Sequence, residues 1–358
     1  MDPRTAFDGK ISNVFKSAAF SRPLDLKKTS RLVRAAYYQE SQARRRSRAA
    51  ATGKTVPAVL IASVTRKCNL DCVGCYAKAL RPQGEVAAEL SDDRFMELFE
   101  EALELGTGVL MLAGGEPLLR RSLLERAALL KGPLIPVFTN GLLVDEGWMD
   151  LFGRGSLVPV FSIEGDASHT SQRRGSGIHE RVLKSMEALK ARGALFGVSV
   201  TATSGNADTI LSSPFLKNLE EMGASVLFIV EYVPAAPGTD GLVLTDSQKS
   251  VLLSKEPFRN LRYPVVALPG DEEAFGGCLA AGRGFIHLSP EGALEACPFA
   301  PFSDTSAADR CLSDALNSPL LAAIRERHAE LTETKGGCAL WNKRGWVASL
   351  SACAAIAS

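Results

Sequence analysis

The segment AVLIASVTRKCNLDCVGCY, residues 58–76, joins an apolar run to a loop that holds three of the eight cysteines. Residues 58–65 are apolar and partly β-branched, which predicts a buried strand. Cys68, Cys72 and Cys75 follow at once, at spacings of four and three. Three thiolates on a compact loop can converge on one soft metal, and three is one short of closing a tetrahedral zinc site or a four-iron cluster. The spacing leaves two interpretations open: iron with one exchangeable position, or zinc with a distant fourth ligand.

Downstream of this segment, strand-like and helix-like segments alternate six times. The strand-like segments are apolar runs, and the helices between them carry apolar residues on one face, as Phe95, Phe99 and Leu103 do after the N-cap candidate Ser91. Such alternation is typical of an α/β fold with a parallel sheet covered by helices, either doubly wound or rolled into a barrel. The six predicted strands lie at residues 58–65, 109–113, 134–138, 157–163, 196–203 and 226–232.

Glycine-rich and polar groups follow the predicted strands. The C-terminal ends of parallel strands meet at one edge of a sheet, where functional residues gather. Gly114-Gly115-Glu116-Pro117 follows the second strand, Thr139-Asn140-Gly141 the third and Ser162-Ile163-Glu164-Gly165 the fourth, with Gln172-Arg173-Arg174-Gly175 beyond it. Each group alone is a weak signal, but the ordered set is specific.

Residues 68–76 resemble the CxxxCxxC-plus-aromatic signature of the radical S-adenosylmethionine (radical SAM) superfamily, and the groups after the strands resemble that family's further motifs. The resemblance implies a partial (β/α)6 TIM-like barrel. It also implies a 4Fe-4S cluster at Cys68, Cys72 and Cys75 that binds S-adenosyl-L-methionine (SAM). Reductive cleavage of SAM in this family gives a 5′-deoxyadenosyl radical, which abstracts hydrogen from a substrate.

The resemblance also assigns roles to residues around SAM. Gly114 and Gly115 would admit the methionine end, and Glu116 would accept its ammonium group. Tyr76 would lie against adenine, and Arg174 would pair with the SAM carboxylate. The remaining cofactor-binding candidates are Asn140, Ser162, Glu164 and Tyr232, with Ser162 and Glu164 expected at the ribose hydroxyls.

A second group of cysteines lies in residues 251–358, where a hairpin is predicted over residues 284–297. Cys278 and Cys297, with Gly292 between them, resemble the start of the SPASM and twitch domains, which carry auxiliary iron–sulfur clusters. We therefore expect a small α+β domain with one auxiliary 4Fe-4S cluster. Cys338 is the expected third ligand. Cys311 is the candidate fourth, with a small buried residue as the alternative. Cys353 is expected to be free, and a zinc site remains an alternative.

Length and charge define the remaining organisation. The chain has 358 residues, 46% of them hydrophobic, and a net charge of +1. Residues 1–56 hold 13 Lys and Arg against four Asp and Glu, a net of +9, so the remainder carries −8. We interpret residues 1–56 as a mostly helical basic arm, packed on the acidic body of its own chain or of a sister subunit rather than on nucleic acid. Residues 57–250 are the predicted barrel. No apolar run long enough to cross a membrane is present, and free cysteines favour the cytoplasm.

The sequence thus predicts a radical SAM oxidoreductase or bond-forming enzyme that acts on a small-molecule or peptide-derived substrate. The auxiliary cluster would accept an electron or bind substrate, and flavodoxin or ferredoxin would supply electrons. One alternative is a peptide or protein maturase that makes thioether or carbon–carbon crosslinks. Another is a non-catalytic iron–sulfur or zinc protein. His169 and Glu231 are the candidate proton-transfer residues.

Overall fold

The computed structural model describes residues 3–20, 25–80, 87–268, 275–332 and 338–357, and the side chains of those outside 3–5 and 351–357. These residues build one nine-stranded sheet in the order β7-β6-β5-β4-β3-β2-β1-β8-β9. The strands are β1 (Val59–Ser63), β2 (Val109–Ala113), β3 (Ile135–Thr139), β4 (Leu157–Ile163), β5 (Gly197–Ala202), β6 (Leu227–Glu231), β7 (Val265–Leu268), β8 (Phe285–Leu288) and β9 (Leu294–Glu295).

Helices connect and cover the strands. In the described part of the chain, none is both long and apolar enough to cross a membrane. They are α1 (Pro3–Phe20), α2 (Leu26–Ala51), α3 (Tyr76–Ala79), α4 (Asp92–Leu105), α5 (Arg121–Ala127), α6 (Glu146–Arg154), α7 (Ala167–Arg174), α8 (Ile178–Ala191), α9 (Ala207–Ile210), α10 (Ser213–Met222), α11 (Asp246–Ser254), α12 (Leu312–Ala315), α13 (Pro319–Glu326), α14 (Ala339–Asn342) and α15 (Arg344–Ala357).

Strands β1 to β6 lie side by side in chain order, and every pair of neighbours among them is parallel. This arrangement confirms the six predicted strands and the predicted partial barrel. All six C-terminal ends therefore meet at one edge of the curled sheet, and the predicted polar groups follow them there.

Local sequence signals set both ends of helix α4. Ser91 caps α4, because its hydroxyl accepts a hydrogen bond from the backbone N–H of Arg94 at 3.1 Å. Gly106 ends the helix in the left-handed conformation, with φ at +119°. Phe95 and Phe99 have no solvent exposure and pack against the outer face of the sheet with Leu112. The predicted amphipathic helix is thus present, within one residue of its predicted start.

Strands β7 and β8 extend the sheet beyond the six predicted units. Strand β7 pairs in parallel with β6 and was not predicted. Strand β8 pairs in parallel with β1 and antiparallel with β9, so the predicted hairpin of the C-terminal region continues the barrel sheet. The division between barrel and auxiliary domain at residue 250 stays a prediction.

The basic arm consists of α1 and α2 and packs on its own chain. On α2, the Gln42 side-chain amide donates to the carbonyls of Leu103, at 2.7 Å, and Thr107, at 3.0 Å. Arg46, one turn further along α2, donates to the carbonyl of Gly106. These donors bind backbone carbonyls at and just beyond the C-terminal end of α4. The arm is thus docked by side-chain hydrogen bonds to the barrel.

Candidate active site

The cysteine loop follows β1 and is fastened to the loop after β2. The backbone N–H of Gly115 donates to the Thr65 carbonyl at 2.7 Å, and the N–H of Glu116 donates to the Lys67 carbonyl at 2.8 Å. A Cβ at Gly115 would lie 2.1 Å from the Lys67 carbonyl oxygen, so only glycine allows this approach. The Gly114-Gly115 pair predicted to admit SAM therefore also holds the cysteine loop in place.

Cys68, Cys72 and Cys75 all line one cavity inside the barrel. Cys68 is exposed, and the other two are half-buried. Burial raises the pKa of the Cys72 thiol, and the nearby guanidinium groups of Arg174 and Arg173 lower it in part. The cationic pair thus faces the cysteine loop, where it can balance the negative charge of bound thiolates.

The Tyr232 hydroxyl oxygen and Arg173 Nε lie on this cavity, are buried and have no hydrogen-bond partner among the described residues. A Cβ at Gly74 would lie 2.4 Å from that hydroxyl oxygen, so the ring of Tyr232 lies directly against the cysteine loop. Buried polar groups without partners are costly and mark places where a bound group supplies the missing hydrogen bonds.

Glu116 is almost fully buried at the edge of the cavity. Its carboxylate accepts hydrogen bonds from the Thr139 hydroxyl at 2.7 Å and from the Asn140 backbone N–H at 2.8 Å. Burial raises the pKa of this carboxyl, and these hydrogen bonds lower it in part. The Asn140 side-chain amide in turn donates to Asn69 Oδ1 at 2.7 Å and lies 4.0 Å from Cys68 Sγ. Asn140 therefore supports the cysteine loop.

Glu164 lies beneath the two arginines and does not line the cavity. Its Oε1 accepts hydrogen bonds from Arg173 Nη1 at 2.5 Å and from Arg174 Nε at 2.7 Å. Its exposure is 1%. The carboxylate thus positions the guanidinium groups that line the cavity, and its predicted contact with a ribose hydroxyl stays a prediction. Ser162, the other candidate ribose contact, does line the cavity.

The two candidate proton-transfer residues differ in position. His169 lies outside the cavity, with Nδ1 at 2.8 Å from Asp166 Oδ1 and Nε2 at 3.1 Å from the Gly205 carbonyl oxygen. These contacts fix the half-buried ring beside Asp166 and Gly205, and its predicted role in proton transfer stays a prediction. Glu231 is buried and lines the cavity, with its Oε2 at 3.5 Å from Lys249 Nζ. Glu231 therefore remains a candidate for proton transfer.

Tyr76 joins the two cysteine groups. Its ring centroid lies 4.8 Å from that of Phe299, two residues beyond Cys297. Burial raises the pKa of the Tyr76 hydroxyl, and the negative potentials of Cys75 and Cys297 contribute to the same shift. The structure thus places the aromatic residue of the first motif between the first and second cysteine groups, and its predicted contact with adenine stays a prediction.

Cys278, Cys297 and Cys338 are buried and line the same cavity as the first three cysteines. The pKa of the Cys297 thiol is raised by its hydrogen bond with the Cys338 thiol and by burial. Cys338 also begins α14, where its sulfur accepts a hydrogen bond from the backbone N–H of Trp341 at 3.3 Å. Three of the four predicted auxiliary ligands are therefore gathered at one place.

The structure does not bring Cys311 to this group. Cys311 is exposed at the start of α12, where its sulfur lies 3.3 Å from the Ser313 hydroxyl. The adjacent carbonyl of Arg310 accepts a hydrogen bond from Arg94 of α4 at 2.6 Å, so this segment lies on the outer, helical face of the barrel. Cys311 as the fourth ligand therefore stays a prediction, which this placement does not support. The side chain of Cys353 lies outside the described residues.

The donor set fits a thiolate-ligated cluster at each place. The cavity measures about 450 Å³ and contains six cysteines, the cationic pair and the two unpartnered polar atoms. In the described ranges, no three His, Cys, Asp or Glu side chains are arranged so that they could hold a metal ion as they stand. Cluster binding would therefore require the thiols to turn toward common centres.

Sequence reasoning missed a buried chain of three side chains next to the cavity. Ser63 at the end of β1, His287 on β8 and Glu295 on β9 are each less than 8% exposed. The Ser63 hydroxyl oxygen lies 2.8 Å from His287 Nε2, and His287 Nδ1 lies 2.6 Å from Glu295 Oε2. Pairing of β8 with β1 creates this contact between residues 224 positions apart. No local sequence signal could have revealed it.

Comparison with known proteins identifies the class that this fold and site define. Residues 62–205 match the family described as the Radical SAM superfamily. The chain thus contains a region similar to that superfamily, and its curated relatives carry the names of enzymes. The match covers the cysteine loop and the groups after β2, β3 and β4, where the resemblance was seen in the sequence.

Three individual proteins are similar to this chain at 15–29% sequence identity. The chain is 29% identical over 229 residues to the Fe-coproporphyrin III synthase of Methanosarcina barkeri. This alignment covers 61% of this chain and 56% of that protein. It is 26% identical to an AdoMet-dependent heme synthase of the same organism, over 68% of this chain and 78% of the relative. Streptococcus suis SuiB, solved with bound S-adenosylmethionine, superimposes with a TM-score of 0.63 at 15% identity, over 81% and 73% of the two chains. That similarity shows the fold alone.

Proposed function

We propose that this chain binds SAM at a 4Fe-4S cluster held by Cys68, Cys72 and Cys75 and uses it to abstract hydrogen from a substrate in the barrel. The observation that carries the proposal is the single cavity shared by these cysteines, Gly114-Gly115 and Glu116, onto which the unpartnered Tyr232 hydroxyl also opens. When bound, the cluster and SAM together supply the electron and the 5′-deoxyadenosyl radical.

The side chains around the cavity suit the parts of SAM. Glu116 lines the cavity with its carboxylate fixed by hydrogen bonds from Thr139 and Asn140, and it offers an anionic acceptor for an ammonium group. Arg174, held from below by Glu164, offers a planar donor for a carboxylate. Tyr232 offers a hydroxyl group beside Gly74. These groups would orient SAM against the cysteine loop.

We also propose one auxiliary 4Fe-4S cluster at Cys278, Cys297 and Cys338. Three buried thiols on the common cavity support this ligand set, and the outer position of Cys311 argues against a fourth. A cluster with three protein ligands leaves one iron open to another donor. Because both cysteine groups line one cavity, that position would face the substrate. A flavodoxin or ferredoxin would deliver the reducing electrons.

The substrate is a small organic molecule in the first candidate function. The curated relatives at 26–29% identity carry names of tetrapyrrole-forming enzymes, so coproporphyrin III and its iron complex are the first compounds to test. A peptide maturase is the second candidate. It is supported by SuiB, which was also solved with the precursor peptide SuiA, at 16% identity and a TM-score of 0.61.

Electron paramagnetic resonance (EPR) of the anaerobically reconstituted, dithionite-reduced chain tests the proposal. Two clusters would give about eight iron atoms per chain. Addition of SAM should change the spectrum of one cluster, and that change should be lost in Cys68→Ala. Cys311→Ala is the matched control and should keep both the iron and the spectral change. A reduced spectrum that does not respond to SAM would contradict the proposal.

A further inference from the structure

The inner face of the barrel sheet is packed differently from its outer face. On the outer face, Leu60, Leu110, Leu112 and Ile135 are no more than 1% exposed. On the inner face, most strand side chains keep more exposure: Val59, Met111, Val158 and Phe228 retain 8–9%. The inner side chains therefore border an internal space, whereas a closed barrel normally fills its interior with them.

This space continues the cavity of the active site toward the N-terminal ends of the strands. Near the cysteines the cavity is lined by polar groups such as Glu116, Thr139 and Arg173. Toward the other end its lining residues are mainly apolar, apart from Lys10, Ser199 and Ser225. We call this apolar part the barrel chamber; its strand residues include Val59, Ile61, Val109, Met111, Val158, Val160 and Phe228.

Helix α1 forms the floor of the barrel chamber. Its residues Phe7, Ile11 and Phe15 line the cavity and pack against the inner strand residues. Asp8 on the same helix pairs with Arg46 of α2 at 2.5 Å, which ties the floor to the docked part of the arm. A Cβ at Gly284 would lie 2.9 Å from the Phe7 ring, so α1 also contacts the start of the hairpin strand β8. Helix α1 of the basic arm thus forms part of the cavity wall.

An apolar chamber of this kind is poorly suited to water. A buried water needs two to four polar partners, which Val, Ile, Met and Phe side chains do not provide. An empty apolar cavity is also destabilising, because its lining loses van der Waals contacts on one side. A hydrocarbon group satisfies both conditions, since it fills the space without requiring hydrogen bonds.

We propose that the barrel chamber binds the aliphatic hydrocarbon part of the substrate, with α1 as the floor that limits its length. This inference rests on the proposed function, and among its substrates it favours one with a hydrocarbon chain over coproporphyrin III. The polar part of the substrate would then lie beside the cysteines and Arg173, at the end where the radical is formed. The basic arm acquires a role in substrate selection through Phe7, Ile11 and Phe15.

Binding of a fluorescent fatty acid, dansyl-undecanoate, to the reconstituted full chain tests the chamber. The fluorescence should rise to saturation, and unlabelled dodecanoate should displace the probe. Ile11→Trp and Val109→Phe fill the chamber from two different elements, and each should weaken probe binding by about tenfold. Asn13→Trp adds the same side chain to the exposed face of α1 and should leave binding unchanged. Melting temperatures establish that each variant is folded.

The outcomes separate this inference from the proposed function. Absence of saturable probe binding would overturn the chamber, as would equal binding by Asn13→Trp and both filling variants. Displacement by coproporphyrin III but not by dodecanoate would also overturn the aliphatic assignment. Formation of 5′-deoxyadenosine by the unaltered chain is measured on the same preparation. If that product forms and the probe does not bind, only the chamber proposal fails.

Discussion

His287 Nδ1 lies 2.6 Å from Glu295 Oε2 inside the protein, where the strand that continues the barrel sheet meets its antiparallel partner. The other ring nitrogen contacts the Ser63 hydroxyl at the end of β1. Through these two contacts, the strand that leads to the first cysteine loop is connected to the hairpin that leads to Cys297. This buried chain of hydrogen-bonded side chains thus connects the segments that carry the two cysteine groups.

Replacement of His287 by Leu should destabilise the protein strongly. The change removes both contacts and leaves the Glu295 carboxylate and the Ser63 hydroxyl buried without the imidazole. We expect a loss of about 3 kcal/mol in the free energy of unfolding. His169→Leu is the matched control: it breaks an ion pair with the half-exposed Asp166 and should cost less than about 1 kcal/mol. Urea denaturation of both variants measures the difference, and equal losses would contradict the buried role.

Replacement of Glu164 by Gln should weaken SAM binding. The carboxylate is the shared partner of Arg173 and Arg174, so its loss frees both guanidinium groups from their positions. We expect the dissociation constant for SAM to rise about tenfold, a loss of about 1.4 kcal/mol. Glu180→Gln, an exposed carboxylate in α8, is the control and should bind SAM normally. Isothermal titration under anaerobic conditions provides the measurement, and unchanged affinity in Glu164→Gln would refute the positioning role.

Replacement of Gly115 by Ala should disturb the cysteine loop. The added methyl group would meet the Lys67 carbonyl at 2.1 Å, so the loop has to move away from the end of β2. We expect the first cluster to be lost, which removes about half of the iron. Gly153→Ala in α6 is the control, because a Cβ there meets nothing within 4 Å. That substitution should keep all iron and add up to about 1 kcal/mol of helix stability.

Replacement of Tyr232 by Phe should separate binding from stability. The hydroxyl has no hydrogen-bond partner among the described residues, so its removal should not lower the melting temperature. If the hydroxyl contacts bound SAM, the affinity for SAM should fall by about fivefold, or about 1 kcal/mol. Calorimetric titration with SAM, together with a thermal melt, tests both statements. A drop in melting temperature with unchanged affinity would show a purely structural role.

Local signals in the sequence were sufficient for most of the fold. Continuous apolar runs such as residues 109–113 and 157–163 predicted parallel strands, and Ser91 predicted the start of α4. Strand β7 was missed because its four residues, Val265–Leu268, form a short and half-exposed edge strand. Neither its length nor its burial produces the signal of a central strand.

The site was predictable where one motif carries the chemistry. Cys68, Cys72 and Cys75 lie within eight residues of each other, and their common position follows from the loop itself. Contacts between distant segments were not predictable: Glu164 lies beneath the arginines instead of in the cavity, and Cys311 lies on the outer face. These placements depend on how helices pack against the sheet, which motif spacing does not determine.

The most direct test of the account is the formation of 5′-deoxyadenosine from SAM by the anaerobically reconstituted, dithionite-reduced chain. Chromatography of the quenched mixture should show this product for the unaltered chain and for Cys311→Ala. Variants at Cys68, Cys72 or Cys75 should form none, because each removes a ligand of the proposed cluster. Absence of the product from an unaltered chain with intact cluster absorbance would contradict the central claim.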